Sequence, residues 1–485
     1  MDSRGERLRD FTGGVQLDQD FHYYGTFYAA RLAGHGTTDA TLIAKCSNFI
    51  DFLSNEGYGG YWRLVRESTR RASRDLYTVV GDVNSPRYTF QGTLSTGAAP
   101  EDGMWCSYHF TPGNYPDPMG IPTPTQVHGR AVAARLPKRL RNNAGQHHEV
   151  RATPGVTDVK LAKLLNRPMS ALSRAMIADT TLCMTDPARL RAILQRAVGA
   201  GELLPDNEAA AKDILARFRL ALLGARAHVL ADTWAHQDWS GVSHSMNTYW
   251  DVTGWNVGRQ SIEYQDIGDT WKNVVLNSQQ QFWNQNLAAS PSVATIGHGW
   301  MGHLPDFSFI KYRYKPAWQR KADQPLVRNN PEQYRHAFLE LTSLFCRAEG
   351  RFFDPVADKY WLDQAQQAIE SPCEIADRNA CPRAHSAEAW MKHMRGLSNP
   401  ETIINAKLEP DPNALLDGKV EDTNGRTRYG TYIIHATSDL YLFQIAADYH
   451  FHFVRNFLHR HEIKEFTGSW SQQNGALSAT ISDLF

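Results

Sequence analysis

Apolar residues recur at intervals of three and four through most of the chain, which is the spacing of helices that bury one face. This spacing predicts helices over Thr157–Ala178, Pro187–Val198, Asn207–Gln237, Gly268–Leu287, Pro331–Gly350, Pro355–Glu370, Ser386–Met394 and Tyr432–Ile463. A polar link, Asp411–Arg428, precedes the last of them. The pattern predicts a mainly α protein.

Two more helices are predicted near the N-terminus. The first follows Asp20–Tyr24 (DFHYY) and ends at Gly34, because glycine commonly ends a helix. The second begins at Thr38 and runs to about Leu53. Asp51 lies near its end, where a carboxylate is either an exposed residue or a ligand that faces inward.

Residues 57–156 interrupt the helical pattern. They are rich in Gly, Pro, Tyr and Thr, with only short β-like runs, LYTVV and RYTF. Such a composition predicts a long loop-rich insertion with a small hairpin. We expect this insertion to lie within a single compact domain spanning residues 1–485. It includes His109, in the hydrophobic segment WCSYHF.

The most informative pattern lies in Ala225–Trp239, which reads ARAHVLADTWAHQDW. His228, Asp232 and His236 recur every four residues, so on a helix they form one stripe with Cβ atoms about 5–6 Å apart. Buried imidazoles and carboxylates are costly unless they are paired or coordinate a metal. Three ligand-type residues on one stripe favour a metal site. The alternative is a helix with two hydrogen-bonded histidines and a surface aspartate.

A glycine-punctuated loop, 291–309, offers further ligands. Residues 297–302 (GHGWMG) match GxGxxG in form, but no strand precedes them and Pro305 stands where a helix would begin. Both features argue against a dinucleotide site. The loop presents His298, His303 and Asp306, and we expect it to supply one or two metal ligands. The alternative is a Gly/Pro turn with exposed histidines.

The last predicted helix repeats part of the stripe. His435 and Asp439 are four residues apart, but Phe443 stands at the third position. The pair is either a second metal half-site or a hydrogen-bonded pair on one helix face. Other catalytic signatures, namely a GxSxG elbow, a P-loop and an HExxH motif, are absent from the sequence.

Composition narrows the range of functions. The 51 basic and 51 acidic residues cancel, so no long-range field favours nucleic acid or an anionic membrane. No apolar run reaches the roughly 18 residues of a transmembrane helix. The charged start of the chain lacks a secretory signal, which predicts a cytoplasmic protein or one exported without a cleaved signal. No CxxC pair is present, although Cys373 and Cys381 are close enough in sequence to bridge.

Several of these motifs occur together in known proteins. DFHYY, HVLADTWAHQDWSG and IGHGWMGHLPD, in this order, resemble versions found in a bacterial family of uncharacterised proteins, over most of the chain and least over residues 57–156. More distantly, the order of histidines and aspartates is similar to that of the zinc-dependent phospholipase C and single-strand nuclease superfamily. That similarity implies a compact multi-helix fold and a site for three zinc ions.

The resemblance also implies a set of ligands. By their place in the motifs these are His22, Asp51, His109, His228, Asp232 and His236, with either His303 and Asp306 or His435 and Asp439 as the last pair. Two features depart from the superfamily. The chain begins Met-Asp-Ser and lacks the mature N-terminal tryptophan ligand, and the histidine after Asp232 follows at only four residues. A metal site is therefore better supported than a site for three zinc ions.

Together these observations predict a metal-dependent hydrolase of phosphodiesters, similar to phospholipase C and acting on a phospholipid or other small molecule rather than nucleic acid. Two or three zinc ions suit the His and Asp ligands, although another divalent metal would fit. Asp20 or Asp238 would orient a ligand histidine or act as base. The alternatives are a metalloenzyme of other chemistry (amide hydrolysis or oxygen activation at iron) and a helical binding or toxin-like protein with a structural metal. The oligomeric state is left open.

Overall fold

The computed structural model describes residues 20–53, 62–67, 77–83, 87–90, 100–115, 126–127, 130–131, 163–198, 208–242, 247, 263–264, 296–301, 304–316, 325–371, 386–398, 416–417, 420–421, 427–428 and 431–461. Within these ranges the chain is mainly helical, which confirms the predicted fold class.

Ten α-helices make up most of the described chain: α1 (Thr26–Leu32), α2 (Thr37–Phe49), α3 (Pro100–Tyr108), α4 (Ala171–Thr185), α5 (Pro187–Val198), α6 (Glu208–Ala235), α7 (Asn330–Ala348), α8 (Lys359–Glu370), α9 (Ser386–His393) and α10 (Asp439–Arg460). A π-helical turn, Asp20–Gly25, leads directly into α1. Short 3-10 turns cover Gly299–Met301 and Arg395–Leu397.

The strands of the described chain are short: β1 (Trp62–Glu67), β2 (Tyr77–Val83), β3 (Gln126–Val127), β4 (Arg130–Ala131), β5 (Glu263–Tyr264), β6 (Lys311–Tyr314), β7 (Leu326–Asn329), β8 (Leu416–Asp417), β9 (Val420–Glu421), β10 (Thr427–Arg428) and β11 (Thr431–His435). The largest sheet has the order β2-β1-β11-β8. In it β1 pairs antiparallel with β2 and parallel with β11, so it joins segments far apart in sequence.

Helix α6 is central to the packing. It contacts α2, α7 and α10 along its length, and every residue from Leu220 to Ala235 is buried. A helix buried on all sides is normally apolar all round. The polar residues of this stretch, His228 and Asp232 among them, therefore need partners inside the protein.

Helices α2 and α6 approach each other closely at Gly224. A Cβ atom on Gly224 would lie 2.4 Å from the carbonyl oxygen of Ile43 and 2.7 Å from Cβ of Cys46. Only glycine permits this approach. The close contact brings the end of α2, and Asp51 just beyond it, against the ligand-bearing half of α6.

Most predicted helices are present with shifted ends. Helix α5 has the predicted bounds, and α6 and α7 differ from prediction by one or two residues at each end. Helix α4 begins at Ala171 rather than residue 157, because the Ser170 hydroxyl caps it by accepting from the Ser173 amide. Helix α8 begins at Lys359 rather than residue 355, because the Asp354 carboxylate holds the next amides in a turn. The helix predicted over residues 268–287 lies outside the described residues.

The helix predicted over residues 432–463 is wrong at its start. Thr431–His435 is strand β11, which pairs with β1 and β8 and carries two β-branched isoleucines. Helix α10 begins only at Asp439, where the Ser438 hydroxyl accepts from the Tyr441 amide. His435 and Asp439 therefore do not share a helix face.

Residues 57–156 contain more regular structure than expected. The LYTVV run lies largely in β2, which forms the predicted hairpin with β1, whereas in RYTF only Phe90 makes an isolated bridge. The WCSYHF segment ends helix α3, which was not predicted. The limits of the insertion stay a prediction. None of the described helices combines the length and apolarity that crossing a bilayer requires.

Candidate metal centre

Among the described residues, eight buried side chains with nitrogen or oxygen ligand atoms converge beside the C-terminal half of α6. None is more than 2% exposed. They come from five places in the chain: the π-helical turn before α1, the turn after α2, the residue after α3, α6 itself, and loop 296–306. This metal-ligand cluster consists of His22, Asp51, His109, His228, Asp232, His236, His298 and Asp306.

Asp232 is the centre of the cluster. Its Oδ1 lies 3.2 Å from Nε2 of His22, and its Oδ2 lies 3.2 Å from Nε2 of His228 and 3.3 Å from Nδ1 of His109. Ligand atoms at about 2.0–2.1 Å from a tetrahedral zinc ion are separated by roughly 3.3 Å. The observed separations are therefore those of atoms that can bind one ion together.

A second group lies one helical turn further along α6. Nε2 of His236 and Nε2 of His298 each lie 3.3 Å from Oδ1 of Asp306. The two groups adjoin, since Nδ1 of His236 is 3.5 Å from Oδ2 of Asp232. The carboxylate at the centre of the cluster therefore contacts residues of both groups.

Three sets of residues in the cluster could each hold a metal ion. Within each set the ligand atoms lie within 4.8 Å of one another, and the first two sets share one histidine. Asp51 enters through its Oδ1, which is 3.8 Å from a nitrogen of each histidine in its set. The sets are His22, His228 and Asp232; Asp51, His109 and His228; and His236, His298 and Asp306.

Backbone carbonyl groups fix which nitrogen of each imidazole faces the cluster. Nδ1 of His228 donates to the Ser47 carbonyl at 3.0 Å, and Nε2 of His109 donates to the Thr89 carbonyl at 2.9 Å. Nδ1 of His236 donates to the His109 carbonyl at 2.9 Å. The other nitrogen of each ring then faces the cluster as an unprotonated acceptor. Metal-binding histidines are commonly oriented in this way.

Burial keeps three of the imidazoles neutral. The pKa of His109 is lowered to about 3, and the pKa values of His22 and His228 lie well below the ordinary value, chiefly because burial penalises the charged form. Burial, followed by the charges of the two neighbouring aspartates, raises the pKa of Asp232 well above its ordinary value. Neutral imidazoles around crowded carboxylates form a site that gains from a bound cation.

In the described chain, three buried atoms of His22 and Asp232 make no hydrogen bond, although two of them face each other at 3.2 Å. These atoms are both ring nitrogens of His22 and Oδ1 of Asp232. Such atoms are rare in folded proteins because each carries a desolvation cost. The ring of His22 is held in place by stacking on His228, with centroids 3.8 Å apart and planes 18° apart. A cation at this position would satisfy Nε2 of His22 and Oδ1 of Asp232 together.

The loop that carries His298 and Asp306 is hydrogen-bonded to the segment after α6 and to α7. Gly297 has a φ of +54°, a conformation that favours glycine, and its amide donates to the Ser240 carbonyl at 2.9 Å. The Tyr334 hydroxyl, on α7, donates to the Asp306 carbonyl at 2.9 Å. These hydrogen bonds anchor the backbone at Asp306 and at Gly297, directly before His298.

Seven of the ten predicted ligands lie in the cluster, namely His22, Asp51, His109, His228, Asp232, His236 and Asp306. His303 lies outside the described residues. The histidine that stands beside Asp306 is His298, which the same loop presents. That these residues bind metal stays a prediction.

His435 and Asp439 do not join the cluster. Asp439 begins α10, is partly exposed, and accepts from Nη1 of Arg217 at 2.9 Å. His435 ends β11, opposite Val65 of β1. Among the described residues neither belongs to a set with metal-binding geometry. The sequence predicted either His303 with Asp306 or His435 with Asp439 as the last pair of ligands. In the described chain only Asp306 lies with the other ligands.

The two predicted catalytic aspartates occupy different positions. Asp20 opens the π-helical turn two residues before His22, and its side chain lies outside what the structure describes. Asp238 has a φ of +78°, and its carboxylate accepts from Nη1 of Arg167 at 2.6 Å and from Nη1 of Arg328 at 3.3 Å. These contacts favour the orienting role of Asp238, and a role as base stays a prediction.

Arg328 connects Asp238 to the ligand helix. Its buried guanidinium donates to the carbonyls of Gln237 at 2.9 Å and Ala235 at 2.7 Å, at the C-terminal end of α6. A cation at this end of a helix satisfies free carbonyls and opposes the negative end of the helix dipole. The Asp238–Arg328 pair therefore fixes the end of the helix beside His236.

Sequence reasoning did not find the residues that support the ligands. Phe110, just after α3, stacks on His236 with ring centroids 4.8 Å apart. Gly297 packs against the Cζ end of Phe110. The glycines around His298 signalled a close backbone approach, but a single phenylalanine after an unpredicted helix carries no comparable signal.

The site thus defines a mainly helical protein with buried His/Asp sets that could hold metal ions. The chain belongs to DUF6765, a family of unknown function whose model matches residues 17–458. That span includes every residue of the metal-ligand cluster. No curated protein and no solved structure matches the chain.

Proposed function

We propose that this protein is a metal-dependent hydrolase of phosphodiesters with two or three zinc ions in the metal-ligand cluster. The observation that carries the proposal is the convergence of eight buried His and Asp side chains in one cluster, in which Asp232 contacts four of the histidines. His and Asp without cysteine are typical ligands of catalytic zinc.

The number of ligands argues for more than one ion. A structural zinc site uses four protein ligands in a closed shell, whereas catalytic sites leave a position open. Eight ligand residues are too many for one such ion and suffice for two or three with open positions. The charges agree, since the three buried carboxylates would need more than one divalent cation for balance where burial keeps neighbouring imidazoles such as His22 and His228 neutral.

The residues of the cluster would have different roles in the reaction. Bound divalent cations would supply an activated water and would neutralise charge on phosphate oxygens. Asp232 contacts histidines of both groups, so it would help to hold the cations of the site. His109, His228 and His236 are oriented by backbone carbonyls, which would keep the ligand geometry fixed during turnover.

The substrate class is inferred from the chemistry of the metal site and from the charge of the chain. A phosphodiester is the substrate that multi-metal His/Asp sites most commonly cleave by in-line displacement. The balance of 51 basic and 51 acidic residues gives no field that would attract nucleic acid. We therefore place phospholipids before nucleic acid as candidate substrates.

The first test is the metal content of untagged full-length protein purified without added zinc, measured by elemental mass spectrometry. We expect two or three zinc ions per chain. The same preparation is then assayed with bis-p-nitrophenyl phosphate, phosphatidylcholine and single-stranded DNA, and we expect hydrolysis of at least the first two.

Asp232→Asn supplies the matched variant, with Asp439→Asn as control. Asp232→Asn should lose metal and hydrolysis, whereas Asp439→Asn, on an exposed ion pair with Arg217, should keep both. Protein without metal, or hydrolysis that Asp232→Asn leaves unchanged, would contradict the proposal. A single ion whose loss unfolds the chain without affecting any hydrolysis would instead indicate a structural metal.

A further inference from the structure

A cavity of about 640 Å³ lies beside α6 on a different face from the metal-ligand cluster. Trp234 lines it, and residues two apart on a helix point about 200° away from each other. Trp234 therefore points away from both Asp232 and His236. None of the cluster residues lines this cavity, so a ligand bound there would be independent of the proposed function.

The walls of the cavity are mainly apolar. They are formed by α4 and the residues before it, by α6, by α7 and by the segment 353–355. The principal apolar side chains are Met169, Ile177, Trp234, Leu339, Leu344 and Phe353. A volume of this size is within the range of about 300–1,000 Å³ found for small-molecule pockets.

The charged lining groups are predominantly cationic. Arg174 and Arg347 both line the cavity, and Nη1 of Arg174 donates to the Met169 carbonyl. The acidic group is Glu340, whose Oε2 accepts from Nε1 of Trp234 at 2.6 Å. Burial raises the pKa of Glu340 to about 7, so near neutral pH its carboxyl is only partly charged.

The remaining basic side chain in the wall adds no charge. His336 stacks on Trp234, with ring centroids 5.1 Å apart, and burial lowers its pKa. Two arginines therefore outweigh one partly neutral carboxyl in an otherwise apolar cavity. Charge complementarity favours an anion over a cation as the polar part of a ligand.

The segment beside the cavity extends the apolar surface outward. Phe353 and Pro355 line the cavity, while their neighbours Phe352 and Val356 are 92% and 82% exposed. Exposed large apolar side chains next to an apolar pocket are typical of a site where an apolar ligand enters.

We propose that this cavity binds a single-chain amphiphile with an anionic head group. The apolar chain lies against Ile177, Leu339 and Phe353, and the head group lies at Arg174 and Arg347. A fatty acid carboxylate has this chemistry.

Binding to the full-length protein is tested by isothermal titration with monomeric dodecanoate, below the concentration at which it forms micelles. Dodecyltrimethylammonium has the same chain and the opposite charge. We expect one dodecanoate per chain, bound at least tenfold more tightly than the cationic amphiphile. A preference for the cation would make Glu340 the anchor and overturn the proposal.

Two variants locate the site. Ala178→Trp adds bulk to an exposed position in the cavity wall and should abolish binding, while Ala188→Trp makes the same change on α5, away from the cavity. Arg347→Gln should weaken dodecanoate binding about tenfold with little effect on the cationic amphiphile. Unchanged binding in both Ala178→Trp and Arg347→Gln would overturn the assignment.

A third measurement separates a soluble ligand from a membrane surface. Flotation with phosphatidylglycerol vesicles reports whether the exposed Phe352 and Val356 bind a bilayer. Binding to vesicles without binding of monomeric dodecanoate would also overturn the proposal, because it would assign the apolar surface to a membrane.

Discussion

The ring of Phe110 stacks on the imidazole of His236, with centroids 4.8 Å apart and planes 25° apart. At its Cζ end Phe110 meets Gly297, where a Cβ atom would lie 2.0 Å from Cζ of the phenylalanine. A loop glycine, an aromatic ring and a ligand histidine are thus packed in series. Because Gly297 has no side chain, Phe110 has room to pack on His236. Gly297 therefore affects the position of His236 without touching the cluster.

Gly297→Ala should therefore weaken metal binding and also lower the free energy of unfolding. The new methyl group must displace Phe110, and the positive φ disfavours any residue with a Cβ. We expect a destabilisation of roughly 2–4 kcal/mol, from overpacking and backbone strain together. Thermal unfolding and metal content per chain, measured on the same preparation, report the two effects.

Gly350→Ala is the matched control for backbone strain. Gly350 has a φ of +65°, close to that of Gly297, but a Cβ there would meet nothing within 4 Å. We expect a loss of about 1–2 kcal/mol with unchanged metal content. If Gly297→Ala behaves like this control, Phe110 does not transmit the position of the loop to His236.

The spacing of residues along the sequence allowed the ligands on and next to α6 to be predicted. The same spacing could not predict the ligands that lie on other elements. His228 and Asp232 lie on α6, and His236 directly follows its last residue with its amide still bonded to the Asp232 carbonyl, so the i, i+4 spacing fixes their common face. His22, Asp51 and His109 lie on separate elements, and only the resemblance of motifs, not any period, pointed to them. Their convergence depends on tertiary contacts such as the approach of α2 to α6 at Gly224.

The spacing of His435 and Asp439 led to a wrong prediction, that they share a helix face, for a related reason. The HxxxD pattern counts as a ligand pair only if both residues are on one helix, and here a strand ends at His435 before α10 begins. Pairing of β11 with β1, more than 350 residues earlier in the chain, decides this local structure. A non-local sheet contact is not visible in a window of the sequence.

His298→Ala should remove part of the bound metal, whereas His435→Ala should not. Nε2 of His298 lies 3.3 Å from Asp306 inside the cluster, and His435 belongs to none of the sets with metal-binding geometry in the described chain. We expect His298→Ala to lose about one ion per chain, since three ligands hold each catalytic zinc. Elemental mass spectrometry of both variants, beside the wild type, measures the difference.

Equal metal loss in the two variants would contradict this assignment. Full metal content in His298→Ala would show that the loop supplies a different ligand, and His303→Ala is then the variant to compare.

Asp238→Asn should separate an orienting role from a role as general base. Asparagine tolerates the positive φ of this position, so the substitution mainly removes the charge that Arg167 and Arg328 share. Leaving two buried guanidiniums without their carboxylate should cost about 3–5 kcal/mol. We expect a lower melting temperature and weaker metal retention, measured by unfolding in the presence of a chelator.

Turnover per bound metal distinguishes the two roles. The orienting role predicts that Asp238→Asn, once loaded with metal, keeps most of its activity. A large loss of turnover at unchanged stability would instead identify Asp238 as the base.

Glu340 should make the stability of the protein fall as the pH rises through neutrality. Burial raises the pKa of its partly buried carboxyl to about 7 in the folded protein, against an ordinary value of 4.5. Between these two values the folded state binds more protons than the unfolded chain, so this group lowers stability as the pH increases. Glu340→Gln does not titrate and keeps an oxygen that can accept from Nε1 of Trp234.

The comparison that isolates this group is the unfolding free energy of wild type and Glu340→Gln at pH 5.5 and pH 8, conditions chosen to span roughly the titration window. Other groups contribute equally to both proteins. Relative to wild type, the variant should gain about 1–3 kcal/mol between the two conditions, after allowance for the partial exposure of the side chain. A difference that stays constant would mean that Glu340 titrates near its ordinary pKa. A change in the opposite direction would mean that the cavity stabilises the ionised carboxylate, and Arg347 would then be its partner.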